Sequence, residues 1–273
     1  MHSEDNTSRP SWLTMSDADF LTLLKKSSKF KQRSHDTHHT IHLPELNTRL
    51  TLNLDLPEPP EPSPDDDPFD PRANLTNKQN IEVVYLGNSM LERFKITGAA
   101  TKLGRLGSEG VAWNAGCGGD KNENVLYRLH EGLYQHLKLA QEEGRCDIKF
   151  FILASGTNNL HVKRGLRADD VESYRLLVQA CLRIAPRCRV LACDLFNRKD
   201  VADELVDAGD EMLKGIVEEV DWQGRVRWVE ARGLLGLKLL ADHVHLNEEG
   251  YSVWDEVLWR AVGEMGLSLG EGN

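Results

Sequence analysis

Four short motifs hold the residue types that acyl-transfer chemistry requires, in a fixed order: Gly87-Asn88-Ser89, Asn114-Ala115-Gly116-Cys117-Gly118-Gly119-Asp120, Gly156-Thr157-Asn158-Asn159 and Asp242-His243-Val244-His245. Together they supply a serine hydroxyl, two kinds of oxyanion donor and an Asp/His pair. Each alone has an ordinary structural reading. Ser89, between YLGN and MLERF, could simply be a helix N-cap. The glycine segment could be a strand-to-helix loop with Asp120 capping the next helix. Asn158 could stabilise an Asx turn, and DHVH could be a loop of satisfied polar groups.

The combination favours chemistry. Gly87 permits a tight turn before Ser89, and a helix N-terminus beneath the serine favours developing negative charge. Gly119 can present its N–H, and Asn158 its NH2, to the same oxyanion. Asp242 and His245 are spaced so that the carboxylate folds back onto the Nδ1–H of His245, leaving Nε2 for the serine. His243, adjacent to Asp242, should point elsewhere.

These motifs need elements to position them. Short apolar runs at Ile81–Leu86, Val111–Asn114, Ile148–Ala154, Arg189–Leu195 and Val226–Val229 alternate with helical stretches at Asn122–Glu142, Ala168–Ile184, Val201–Val220 and Glu248–Met265. Such alternation predicts an α/β fold with a parallel sheet covered on both faces, and runs such as FFILA fit strands buried on both sides. The ligand crevice of such a sheet lies beyond the carboxyl ends of the strands. Three motifs directly follow predicted strands and the fourth precedes the last helix, so all four can meet there.

Composition changes near residue 80, dividing an extension (1–80) from the α/β domain (81–273). Leu56 to Pro71 reads LPEPPEPSPDDDPFDP, an extended, acidic linker or surface wrap, expected to be mobile from Glu58 to Asp70. Ser16–Lys26 predicts a capped amphipathic helix with Phe20, Leu21, Leu23 and Leu24 on its apolar face. Leu50, Leu52, Leu54 and Leu56 alternate with polar residues, which predicts a half-exposed strand packed on the core. His35, His38, His39 and His42 are spaced so that a metal could bridge two imidazoles; otherwise they form a solvated polar tract, and no Cys or carboxylate set completes a site.

The 273 residues suffice for one α/β domain of roughly 200 residues plus an extension, or for two small domains. A net charge of −10 without a concentrated basic run argues against nucleic acid as partner. Five cysteines (117, 146, 181, 188 and 193), without metal or redox spacing, fit a reduced cytoplasmic protein, with Cys117 a small buried side chain. No signal peptide or membrane span is expected, so the sequons at Asn6 and Asn74 should carry no glycan.

From Glu82 to Gly266 the chain resembles the SGNH (GDSL-like) hydrolases, and within them the catalytic subunits of intracellular platelet-activating-factor acetylhydrolases. GNSM resembles the nucleophile block, NAGCGGD with VLYRL the glycine block, GTNN the asparagine block and DHVHLNEEGY the Asp/His block. The resemblance implies a three-layer α/β/α sandwich of flavodoxin-like type, with neither metal nor organic cofactor. It makes Ser89 the nucleophile, His245 the general base and Asp242 its orienting group. The N–H groups of Ser89 and Gly119 and the Asn158 side chain then form the oxyanion hole. One departure is Asn88, where the family usually has Asp. The implied activity is hydrolysis of small-acyl, acetyl-type esters, with a small-molecule substrate; a homodimer is left open. An acyltransferase using the same serine and a catalytically silent binding or scaffold protein are the alternatives. A nucleotide-binding domain is disfavoured, because the glycine loop lacks GxGxxG and GK[ST].

Overall fold

A computed structural model describes residues 9–52 and 80–266. Each apolar run contributes a strand: β1 (Val83–Gly87), β2 (Ala112–Gly116), β3 (Phe150–Ala154), β4 (Arg189–Cys193) and β5 (Val226–Val229). They form one parallel sheet in the order β2-β1-β3-β4-β5, the flavodoxin-like order whose switch point lies between β1 and β3.

Successive strand side chains point to opposite faces, and this alternation sorts the core into two layers. Val84, Leu86, Trp113, Ala115, Phe151 and Leu153 pack in one cluster, with residues from α7 (Asn122–Arg128), α8 (Tyr134–Glu142), α9 (Ala168–Ile184) and α10 (Asp203–Val220). Val83, Tyr85, Phe150 and Ile152 pack in the other, with α5 (Ser89–Glu92), α6 (Lys102–Ser108) and α11 (Glu248–Glu264). This is the expected three-layer α/β/α architecture. Among the described residues no helix is long and apolar enough to cross a membrane.

The N-terminal residues join the first layer. After α1 (Ser11–Thr14), α2 (Asp17–Ser27) is capped as expected, by Ser16 rather than Asp17: Ser16 Oγ accepts from Asp19 N at 3.1 Å, with Asp17 and Asp19 in the first turn and Lys25 and Lys26 in the last. Its Phe20 and Leu24 are fully buried in the cluster. Then come α3 (Gln32–Thr37), a π-helical turn at His38–His42 and α4 (Leu43–Leu52).

The strand expected over Leu50–Leu56 is corrected: residues 50–52 end a helix, and the rest lies outside the described residues, as does the acidic linker. Helical period prevails because buried positions recur every four residues, at His38, His42, Leu46 and Leu50. The Arg49 guanidinium anchors this helix by donating to Ala112 O at 2.7 Å.

The histidine tract is only partly solvated: His39 is exposed and His35 half-buried. His38 and His42 are buried, His42 lies edge-on to Trp113, and among the described residues no three His, Cys, Asp or Glu are placed to hold an ion. Burial lowers His38 to about 4, and burial with the nearby Arg128 charge lowers His42 to about 2. A histidine held neutral in the fold but titrating near 6.5 when unfolded costs stability as pH falls below 6.5. Measured by urea unfolding, wild type should therefore lose about 1.4 kcal/mol relative to His42→Leu between pH 7.5 and pH 5.5. An unchanged difference would mean that His42 takes up its proton as readily in the folded protein as in the unfolded chain.

Candidate active site

Ser89 opens α5, a helix of one turn that cannot stand alone and is held by its surroundings. The N-cap is Asn88, not Ser89: Asn88 Oδ1 accepts from Met90 N at 2.9 Å. At the other end, Tyr251 Oη donates to Met90 O and Asn114 Nδ2 to Leu91 O, both at 2.7 Å. Asn88 thus retains the capping acceptor, while its Nδ2 is buried and has no partner among the described residues.

The Ser89 hydroxyl, relieved of capping, lies 2.8 Å from His245 Nε2, and His245 Nδ1 lies 2.7 Å from Asp242 Oδ2. Asp242 Oδ1 accepts from the backbone N–H groups of Val244 and His245 at 2.9 and 2.7 Å. Burial works to raise the Asp242 carboxyl, but these hydrogen bonds and the His245 ring outweigh it and hold the group far below the usual carboxylate range. Arg93 adds a cation 3.9 Å from Oδ2. His243 is largely exposed, its Nδ1 4.0 Å from Asp242 Oδ1 and beyond hydrogen-bond reach.

The remaining two predicted residues meet through Asp120. Gly119 has φ +75°, a conformation that favours glycine. Asn158 Nδ2 donates to Asp120 O at 2.8 Å rather than turning back on its own loop. That bond uses one amide hydrogen and leaves the other for a ligand. Cys117 N donates to Gly87 O at 3.1 Å, so the glycine loop adjoins the end of β1. Cys117 itself is buried, and burial raises its thiol.

Comparisons with known proteins bear on the fold. No protein-family model matches the chain. Over 179 residues it is 25% identical to platelet-activating factor acetylhydrolase IB subunit alpha1 of Pongo abelii, covering 63% of this chain and 71% of that protein. It is similar in structure to a candidate acylhydrolase from Bacteroides fragilis NCTC 9343 (TM-score 0.52, 16% identity, 81% of this chain and 96% of the other). A GDSL-like lipase from Bacteroides thetaiotaomicron VPI-5482 is similar too (TM-score 0.52, 14% identity, 81% and 98%). The chain has the fold of the SGNH (GDSL-like) hydrolases.

In this SGNH fold, the polar contacts that support the site were not recognised from sequence. Asp120 does not cap α7; its Oδ2 accepts from Arg128 Nε at 2.9 Å and from Ser34 Oγ at 3.1 Å. Arg128 is fully buried and also donates to Ala115 O at 2.8 Å and Gly87 O at 3.0 Å. A signal existed: Arg128 interrupts the apolar face formed by Val125, Leu129 and Leu133, where a charge must have a partner. The GTNN loop is held by Asn159, whose Oδ1 accepts from Asn122 N at 2.9 Å and whose Nδ2 donates to Asp170 Oδ1 at 2.8 Å.

Two outcomes follow for this site. Because Asp242 remains ionised through mildly acidic and neutral pH, Asp242→Asn should lower kcat for an activated ester roughly 10³–10⁴-fold across pH 5–9. A loss confined to one limb of the profile would contradict the orienting role. Arg128→Met strands the buried Asp120 carboxylate and should cost about 3–5 kcal/mol in urea unfolding; a change below ~1 kcal/mol would mean the carboxylate finds another partner.

Proposed function

We propose that the protein is a serine-dependent carboxylic ester hydrolase acting on small-acyl, acetyl-type esters through an acyl-enzyme on Ser89. The observation that carries this reading is the unbroken chain Ser89–His245–Asp242, with contacts of 2.8 and 2.7 Å. Asp242 holds the Nδ1–H tautomer of His245, so Nε2 takes the Ser89 proton as Oγ attacks the ester carbonyl. The oxyanion is stabilised by the N–H groups of Ser89 and Gly119 and by the remaining amide hydrogen of Asn158. Collapse transfers the proton to the leaving alcohol and yields the acyl-enzyme. Water, deprotonated by the same His245, then releases the acid. Small acyl groups are favoured by the likeness to a protein named as an acetylhydrolase.

The test is hydrolysis of p-nitrophenyl acetate, butyrate and octanoate by wild type and Ser89→Ala, alongside labelling by a fluorophosphonate. The expected result is a loss of about 10⁴-fold or more in kcat for Ser89→Ala, labelling at Ser89, and rates that fall from acetate to octanoate. Equal rates in the two proteins would overturn the serine mechanism. Acyl transfer to an added alcohol in preference to water would reassign the protein as an acyltransferase.

A further inference from the structure

The segment between α2 and α3 lies against the glycine loop. Lys29 N donates to Glu123 O and Asn124 Nδ2 donates to Lys29 O, both at 2.9 Å. Ser34 Oγ donates to Asp120 Oδ2 at 3.1 Å. Between these anchors the segment brings two cations to two consecutive glycines. A Cβ on Gly118 would lie 2.3 Å from the Arg33 guanidinium, and one on Gly119 would lie 2.8 Å from Lys31 Nζ.

The two cations differ in how their charge is met. Arg33 pairs with Glu92 at 3.3 Å. Two other cations beside the site are also matched, Arg93 by Asp242 at 3.9 Å and Arg198 by Asp200 at 2.7 Å, while Lys121 and Lys199 are exposed. Lys31 donates to Gly119 O, and among the described residues it has no carboxylate partner. In a chain with 43 acidic and 33 basic residues, a half-buried lysine without an acid is conspicuous. An ammonium has three donors, and one is directed at Gly119 O.

We propose that Lys31 recognises a negatively charged group, a carboxylate or phosphate, carried by the ester substrate. The inference rests on the reading of Gly119 as an oxyanion donor. An ester oxygen on the Gly119 N–H places the substituents of its carbonyl carbon a few bonds from Lys31 Nζ, within reach of a flexible side chain. The N-terminal segment thereby forms the specificity-determining side of the crevice. The anion can sit on either the acyl or the alcohol part, and the test separates them.

The experiment measures kcat/KM of the full chain for two matched pairs. 4-Acetoxybenzoate against phenyl acetate carries the anion on the alcohol; p-nitrophenyl hemisuccinate against p-nitrophenyl butyrate carries it on the acyl group. Wild type should prefer the anionic member of one pair. Lys31→Met should lower kcat/KM for that ester about tenfold, the contribution of one charge-assisted hydrogen bond, and leave its neutral match within about twofold. Lys31→Arg should keep the preference, and added salt should weaken it. Unchanged neutral-ester activity also shows that Lys31→Met is folded. The proposal is overturned if wild type prefers neither anionic ester, or if Lys31→Met slows both members of a pair equally through kcat, which would make Lys31 a positioning group for Gly119. Ser89→Ala runs in parallel: full activity there would sink the esterase reading itself, whereas its loss beside an unaltered Lys31→Met would remove only the role of Lys31.

Discussion

The buried guanidinium of Arg128 is the contact on which the crevice end of the sheet depends. It reaches the carbonyl at the end of β1, a carbonyl near the end of β2 and the carboxylate of Asp120 in the glycine loop. Removing such a pair from water costs several kcal/mol per ion, so its net contribution to stability is small. What it provides is definition. Three acceptors from three segments must converge on one planar fork, and any other arrangement leaves a buried charge without a partner. Gly87 makes this approach feasible: a Cβ there would lie 2.0 Å from Ala154 O, so β1 and β3 could not come together at the switch point.

The candidate site lies at that switch point for a topological reason. In the order β2-β1-β3-β4-β5 the chain leaves β1 toward one side of the sheet and leaves β3 toward the other, opening a crevice beyond the strand ends. Ser89 follows β1, Asn158 follows β3, and the glycine loop follows β2. The Asp/His pair arrives from before α11, and Tyr251 in the first turn of that helix also holds α5 through Met90 O. The segment leading into α11 thus delivers His245 while the helix itself secures the one that Ser89 opens, which couples the positions of the two residues.

Residues 9–52 are integral to this arrangement. Phe20, Leu24, Leu46 and Leu50 are buried in the same cluster as Trp113 and Val125, and Arg183 of α9 donates to Met15 O and Asp17 Oδ1, both at 2.8 Å. Closer to the crevice, Ser34 adds a second donor to Asp120 Oδ2 beside Arg128. Buried His38 and His42 fill space beside Arg128 and α7, their neutrality enforced by burial and by the neighbouring guanidinium.

Much of this was legible in the sequence. Continuous apolar runs mark strands buried on both faces, and Ser16, followed by acidic and then basic ends, marks α2. The order of the four motifs identifies the residues that meet in the site, because strand-helix alternation restricts them to one sheet edge. The misreadings share a cause. Leu50–Leu56 alternates like a strand, yet the periodicity that prevails includes His42, which looks polar until Trp113 and Arg128 surround it. Asp120 looks like a helix cap until Ser34 and Arg128 claim its carboxylate. Local pattern determined the elements, their order and which residues are candidates for the site, since these follow from backbone propensity and side-chain chemistry within a few residues. Only the tertiary structure decided which polar groups are partners. Ser89 and His245 are 156 residues apart and Ser34 and Asp120 are 86 apart, and at such separations partnership depends on how the layers pack.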